Sequence, residues 1–188
     1  MALSVRQLEV PGVVLIERRA AIDHRGVFVE MYKRSAFAAA GIRASFVQDN
    51  YSSSVRGVLR GLHYQKAPKA QGKLVAVLQG EIFDVVVDLR PGSPAYGRWT
   101  SAILSSSNRH MLYMPEGLAH GFCVVSEAAD VVYKTTTEYA PELEAGIRWN
   151  DPQLNIRWPV VHPILSDKDA NLPLLEDARQ EFTHTGTS

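Results

Sequence analysis

The chain has one cysteine, Cys123, in 188 residues, which excludes an intrachain disulfide. Cys123 lies in the apolar run Gly121-Phe122-Cys123-Val124-Val125 and reads as a buried, inert thiol. No stretch of 18 apolar residues and no signal-peptide pattern is present. The expectation is therefore a cytoplasmic protein without a membrane partner. Net charge is missing as well: 20 Lys plus Arg balance 20 Asp plus Glu. No global field draws such a chain to nucleic acid, so an anionic ligand has to be met by a local cluster of cations. Low-complexity segments, repeats and linker-like composition shifts are absent too.

What is present is ordinary globular composition, 46% hydrophobic and 21% charged. The length suits one domain over residues 1–188, with a core from about 10 to 175. Short β-rich segments dominate, separated by turn residues. Candidate strands are Val13–Ile16, Gly26–Tyr32, Val47–Tyr51, Val58–Tyr64, Lys73–Leu78, Ile82–Leu89, Trp99–Leu104, Met111–Met114, His120–Val125 and Val131–Tyr139. Gln79-Gly80-Glu81 between two of them suggests a hairpin turn. A short helix is expected over Ala36–Ala40, capped by Ser35 and closed by Gly41. A second is expected from Leu174 to about Gln180, and the last six or so residues read as a frayed tail. Many short strands with little helix predict an all-β, double-sheet jelly roll with short flanking helices, an architecture that limits exposed strand edges.

Chemistry concentrates in Arg60-Gly61-Leu62-His63-Tyr64-Gln65, Gln71-Gly72-Lys73-Leu74 and Pro115-Glu116-Gly117-Leu118-Ala119-His120. Two histidines, an arginine and a lysine on or beside apolar strands mark a ligand site in a barrel mouth. His63-Tyr64-Gln65 and Pro115-x-Gly117-x-x-His120 resemble the two halves of the cupin signature. Metal-binding cupins carry a second histidine where this chain has Gln65, and a nearby glutamate; here the first glutamate afterwards is Glu81. A transition-metal site needs three or four converging ligands, and His63 with His120 falls short. Without a metal, the remaining residues suit proton chemistry. Histidine is readily poised as a base near neutral pH, a neutral tyrosine can deliver a proton, and a lysine can hold a developing enolate.

Eight ordered segments carry a closer resemblance. They are Asp23-x-Arg25-Gly26-x-Phe28-x-Glu30, Phe46-Val47-Gln48-Asp49-Asn50, Leu59–Gln65, Ala70–Leu74, Asp84–Pro94, Gly117–Phe122, Tyr133-Lys134-Thr135-Thr136 and Leu165-Ser166-x-Lys168-Asp169. Together they resemble the dTDP-4-dehydrorhamnose 3,5-epimerase family from about residue 10 to 175. The resemblance implies a cupin-type jelly roll acting on dTDP-4-dehydro-6-deoxyglucose, with neither metal nor dissociable cofactor, as a homodimer whose sites draw on both chains. It implies His63 as base, Asp169 as the carboxylate behind it, Tyr133 as the opposite-face acid and Lys73 as the enolate-stabilising cation. It implies diphosphate contacts for Arg25 and Arg60, nucleotide or sugar contacts for Glu30, Gln48 and Asn50, and further pocket positions for His120, Glu144 and Lys168.

Local geometry weighs on several of these. Phe28 and Glu30 share one strand face, as do Gln48 and Asn50; a buried carboxylate or amide without a ligand is costly, which favours pocket roles for the pairs or exposure on the other face. Tyr133 and Tyr139, six residues apart on one expected strand, also share a face, so Tyr139 is expected to line the pocket. Strict alternation puts Arg60 and His63 on opposite faces, and only a bulge at Gly61 or a long reach by the arginine reconciles them. Asp169 competes with a plain turn reading of Ser166–Asn171, and Lys73 with a solvated strand end. His24, His110, His162 and His184 read as surface or loop residues, and Trp99, Trp149 and Trp158 as packing. Three alternatives stay open: a single-carbon epimerase for another deoxysugar, a metal-dependent cupin, and a non-enzymatic sugar-nucleotide-binding barrel.

Overall fold

A computed structural model describes residues 3–178. In chain order the elements are β1 (Leu3–Gln7), β2 (Val14–Arg18), β3 (Ala21–Asp23), β4 (Gly26–Phe28), α1 (Arg34–Ala39), β5 (Gln48–Val55), β6 (Leu59–Gln65) and β7 (Lys73–Gln79). They continue with β8 (Glu81–Asp88), β9 (Trp99–Ser105), β10 (Met111–Met114), β11 (Leu118–Val124), β12 (Ala128–Thr135), β13 (Glu144–Gly146) and α2 (Asp167–Ala170). A six-stranded sheet runs β1-β2-β10-β7-β12-β5 and a five-stranded sheet runs β13-β6-β11-β8-β9. Their strand pairings are antiparallel. The expected double-sheet jelly roll is what forms.

Side-chain alternation explains three buried layers. On β7, Val75 and Val77 point inward to meet Ile82 and Val86 of β8, Leu118 and Phe122 of β11 and Val131 of β12 between the sheets. Leu74 and Ala76 point the other way and are covered by Phe37 of α1 and by Ile42. On β8, Val85 and Val87 face outward beneath Ile147, Leu154, Leu175 and Ala178 of the C-terminal segment. Strands buried on both faces read as continuous apolar runs, which is why β7 and β8 stood out in the sequence.

Several expectations shift. Gln79-Gly80-Glu81 is not a hairpin: β7 and β8 belong to different sheets, and the chain turns a corner between them. Gly80 takes φ +77°, and a Cβ there would lie 2.0 Å from the Ala128 carbonyl oxygen. A glycine turn signals a reversal, but not whether the strands then pair or diverge. The strand expected over 26–32 stops at Phe28 and pairs only with β3, forming a separate two-stranded sheet. Helix α1 begins at Arg34 with Lys33 as its N-cap, and Ser35 does not cap it. Gly41 closes it at φ +90°, as expected. Strands β1, β3 and β13 and helix α2 were not anticipated. Residues 175–178 are helical, in keeping with the expected second helix. Its end at Gln180 and the expected frayed tail lie outside the described residues.

The irregularity needed at Gly61 exists. Between β6 and β11, His63 pairs with His120 and Arg60 with Phe122, so β6 holds one residue more than its partner over that stretch. Gly61 has φ +128°, and a Cβ on it would stand 2.5 Å from the Cα of Gly121. Both the backbone angle and the close approach require glycine. Gly61→Ala is expected to destabilise the protein by about 1–3 kcal/mol, read from the denaturant midpoint. A midpoint within error of wild type would contradict this role for the bulge.

Candidate active site

A cavity opens between the two sheets as adjoining lobes of about 310 and 400 Å³. Asn50, His63, Lys73 and Tyr133 line both lobes. The first lobe extends over Gln48, Gln65, Gln71, Thr135, Tyr139 and Glu144, and the second over Arg60, His120, Phe122, Ser166, Lys168 and Asp169. The extra residue in β6 lets Arg60 and His63 reach the same lobe.

His63 Nε2 lies 2.7 Å from Asp169 Oδ1. Asp169 is almost wholly buried. Its placement depends on three contacts: the N–H of Gly61 donates to Oδ2 at 3.3 Å, His63 holds Oδ1, and its own N–H donates to Ser166 Oγ at 3.1 Å. Ser166 is the N-cap of α2, so the turn-like run Ser166–Asn171 is a short capped helix aimed at β6. Burial alone would raise the Asp169 pKa. The hydrogen bond and charge of His63, the Gly61 N–H and Ser166 outweigh it and hold the carboxyl below its usual range. A carboxylate in that position fixes the imidazole with Nε2–H donating and leaves Nδ1 as the basic nitrogen.

Tyr133 and Lys73 stand on the opposite sheet, on the neighbouring strands β12 and β7. Burial raises the Tyr133 pKa; Arg60 opposes this and Glu144 adds to it. The phenol therefore stays protonated and able to donate. Lys73 is no solvated strand end: it is 8% exposed, and Nζ donates to the His63 carbonyl at 3.3 Å. Burial brings its pKa down to about 8, opposed by the charges of Asp84 and then Glu144.

The rim is built from cations and amides. Arg60 donates to Ser54 Oγ at 3.1 and 3.2 Å. Lys168 Nζ pairs with Glu144 Oε1 at 2.5 Å, and Tyr139 donates its hydroxyl to Glu144 Oε2 at 2.5 Å. Gln48 and Asn50 share a face of β5, as expected, and bond each other at 2.8 Å. Gln48 also accepts the Tyr139 N–H. Tyr139 lines the first lobe, but not for the reason alternation supplied: β12 ends at Thr135, and Tyr139 sits in the loop beyond. Gln65, where metal cupins have a histidine, staples loops, donating to the Glu138 carbonyl and accepting from the Ala140 N–H. Among the described residues no three His, Cys, Asp or Glu side chains are grouped to hold a metal.

Three expected residues do not reach this cavity within one chain. Arg25 pairs with Asp23 at 2.6 Å, Phe28 is 66% exposed, and Glu30 lines neither lobe. Phe28 and Glu30 therefore do not form a buried pocket face here, because the β3–β4 ribbon joins neither large sheet. Conversely, Asp84 was assigned no role from sequence. It is fully buried and meets His120 Nε2 at 3.0 and 2.9 Å. Its inward parity with Ile82 and Val86, a carboxylate in an apolar strand, was the available signal.

A histidine backed by a carboxylate and a protonated phenol on facing sheets, with a buried lysine beside them, form a jelly-roll site equipped to move protons. The model of the family "dTDP-4-dehydrorhamnose 3,5-epimerase" matches residues 7–177. An enzyme of that name from Pseudomonas aeruginosa is 51% identical over 94% of this chain and 98% of its own. One from Shigella flexneri is 49% identical with the same coverage of both chains. The solved structure of dTDP-6-deoxy-D-glucose-3,5-epimerase from Legionella pneumophila, in complex with dTDP-4-keto-L-rhamnose, superposes with a TM-score of 0.91 at 45% identity. That match covers 95% of this chain and 96% of that one. The chain belongs to the dTDP-4-dehydrorhamnose 3,5-epimerase family.

The cap on α2 yields a test of how the His63–Asp169 pair is held. Ser166→Ala is expected to cost about 1 kcal/mol of stability and to lower kcat, with Ser166→Asn, which can still cap, recovering most of both. Unchanged kcat in the alanine variant would show that the cap does not set the pair.

Proposed function

We propose that the protein inverts C3 and C5 of dTDP-4-dehydro-6-deoxyglucose on the route to dTDP-L-rhamnose. The observation that carries this is the placement of His63 and Tyr133 on facing sheets around one cavity, with Lys73 lining both lobes beside them. The 4-keto group of the sugar acidifies the neighbouring C–H bonds. His63 Nδ1 takes the proton, the C–H electron pair moves into an enolate, and the Lys73 ammonium stabilises the oxygen as it becomes negative. The enolate carbon then takes a proton from the Tyr133 hydroxyl on the opposite face, which inverts the centre. His63 loses its proton and Tyr133 regains one by exchange with solvent, and the same groups serve the second carbon. Asp169 stays ionised and stabilises the imidazolium.

Arg60 and Lys168 supply the cations for the diphosphate, which a chain of zero net charge can meet only locally. Gln48, Asn50, His120, Tyr139 and Glu144 complete the sugar and nucleotide pocket. Arg25, Phe28 and Glu30 act from the β3–β4 ribbon of a second copy. Ile22, Val27 and Phe28 leave that ribbon with a large apolar exposure, which suits an arm inserted into a homodimer partner. No metal and no dissociable cofactor enters the reaction. We place the protein in the cytoplasm as a single domain; among the described residues no helix is long and apolar enough to cross a membrane.

His63→Ala is expected to lower kcat by at least about 100-fold while dTDP still binds; loss of binding as well would assign His63 to structure. Tyr133→Phe should slow inversion by a similar factor, and an unchanged rate would remove the acid assignment. The Lys73 cation is lost as pH rises, so kcat/KM should fall through about pH 8. Constant kcat/KM across that range would contradict a cationic role for Lys73. Mixing inactive His63→Ala chains with inactive Arg25→Ala chains should restore part of the activity, because a mixed dimer holds one intact site. No restoration would argue against the shared site.

A further inference from the structure

Among the described residues, Asp84 is a fully buried carboxylate in contact with a cavity residue, and the chemistry above leaves it unused. It sits on β8 with Ile82 and Val86, on the face that packs between the sheets. Both its oxygens lie within 3.0 Å of His120 Nε2, and its exposure is 0%. A carboxylate in that setting is strongly disfavoured unless it faces cations and hydrogen-bond donors. The His120 ring on β11 is hydrogen-bonded to it, and the Lys73 ammonium on β7, which lines the same lobe as His120, feels its charge. The arrangement repeats that of Asp169 and His63, one strand away in the same sheet, since His63 and His120 are direct partners across β6 and β11.

We propose that Asp84 is a positioning residue of the reaction: its carboxylate holds the His120 ring in one tautomer and is the fixed negative charge that the Lys73 ammonium faces. With Nε2–H donated to Asp84, neutral His120 presents Nδ1 as an acceptor only, suited to a substrate hydroxyl in the second lobe. Around Lys73 the charged and titratable groups are Asp84 from β8, Glu144 from β13, His63 and Arg60 from β6, His120 from β11 and Tyr133 from β12. Asp84 ranks ahead of Glu144 among the charges that oppose the effect of burial on Lys73. Glu144 is in addition engaged by Lys168 and Tyr139, so its charge is shared with them. The division of labour is then two carboxylate–histidine pairs: one makes a base, and the other orients a ring and sustains a cation.

This rests on Lys73 acting as a cation in the reaction. Asp84→Asn keeps an oxygen for His120 but removes the charge, so it separates the two effects. The basic limb of its kcat/KM profile should move to lower pH by a unit or more, about a tenfold greater loss at pH 8.5 than at pH 6.5. An unmoved limb, whether kcat/KM falls uniformly or stays the same, overturns the proposal. Lys73→Met separates this from the underlying reading: if it retains activity, the role of Lys73 fails, whereas an unmoved limb in Asp84→Asn with inactive Lys73→Met sinks Asp84 alone. Should Asp84→Asn not fold, nitrogen NMR of the wild-type histidines decides the matter. His120 protonated on Nε2 from pH 6 to 9 is the expected result, and His120 protonated on Nδ1 alone overturns the proposal.

Discussion

Asp169 is a carboxylate buried at the edge of an apolar sandwich, and much of the C-terminal part of the chain is arranged to make that tolerable. An ionised carboxyl can be taken out of water only if donors surround it. Here they come from His63 and from the backbone N–H of Gly61, while the cap Ser166 accepts the N–H of Asp169 and so fixes the residue in place. To bring residue 169 to residue 63 the chain must be fastened along its return. The Leu59 N–H donates to the Ile164 carbonyl, and the Ile164 N–H to Gly57. Arg148 holds the Leu172 and Pro173 carbonyls, and the buried Asp151 accepts the N–H of Leu175. The same segment covers the outer face of the five-stranded sheet with Leu175 and Ala178. One segment therefore both covers the outer layer and carries Asp169 to His63.

The electrostatics of the cavity follow from its position between two sheets. Low exposure lowers the affinity of Lys73 for its proton and raises that of Tyr133. Both shifts suit the proposed chemistry, in which Lys73 stabilises an enolate as a cation and Tyr133 keeps its proton for delivery. The counter-charges Asp84 and Glu144 stop burial from carrying Lys73 further down. None of this is visible in a net charge of zero, since the balance that matters is struck within one cavity.

Legibility in the sequence tracked burial and local chemistry. Strands β7 and β8 were plain because both their faces are apolar; His63 and Lys73 stood out as polar residues on or beside apolar strands, and Tyr133 was marked by the family resemblance. The bulge at Gly61 could be required but not demonstrated, since only the pairing with β11 reveals the extra residue. Gly80 was misread because turn chemistry reports a change of direction and carries no information about which sheet the next strand joins. Strands β1 and β13 carry too little apolar pattern, and α2 is too short at four residues for periodicity to register. Arg25, Phe28 and Glu30 do not reach the cavity between the sheets in one chain; the family resemblance had marked them, and the face shared by Phe28 and Glu30 presumed a strand that in fact ends at Phe28.

Proton NMR of dTDP-4-dehydro-6-deoxyglucose incubated with the protein in deuterated water tests the central claim most directly. The account predicts deuterium at both C3 and C5, with inversion at each, because one base and one acid flank the sugar. Deuterium at a single carbon would contradict double inversion and point to a different deoxysugar. No incorporation with dTDP still bound would contradict the acid–base account altogether and leave a sugar-nucleotide-binding barrel.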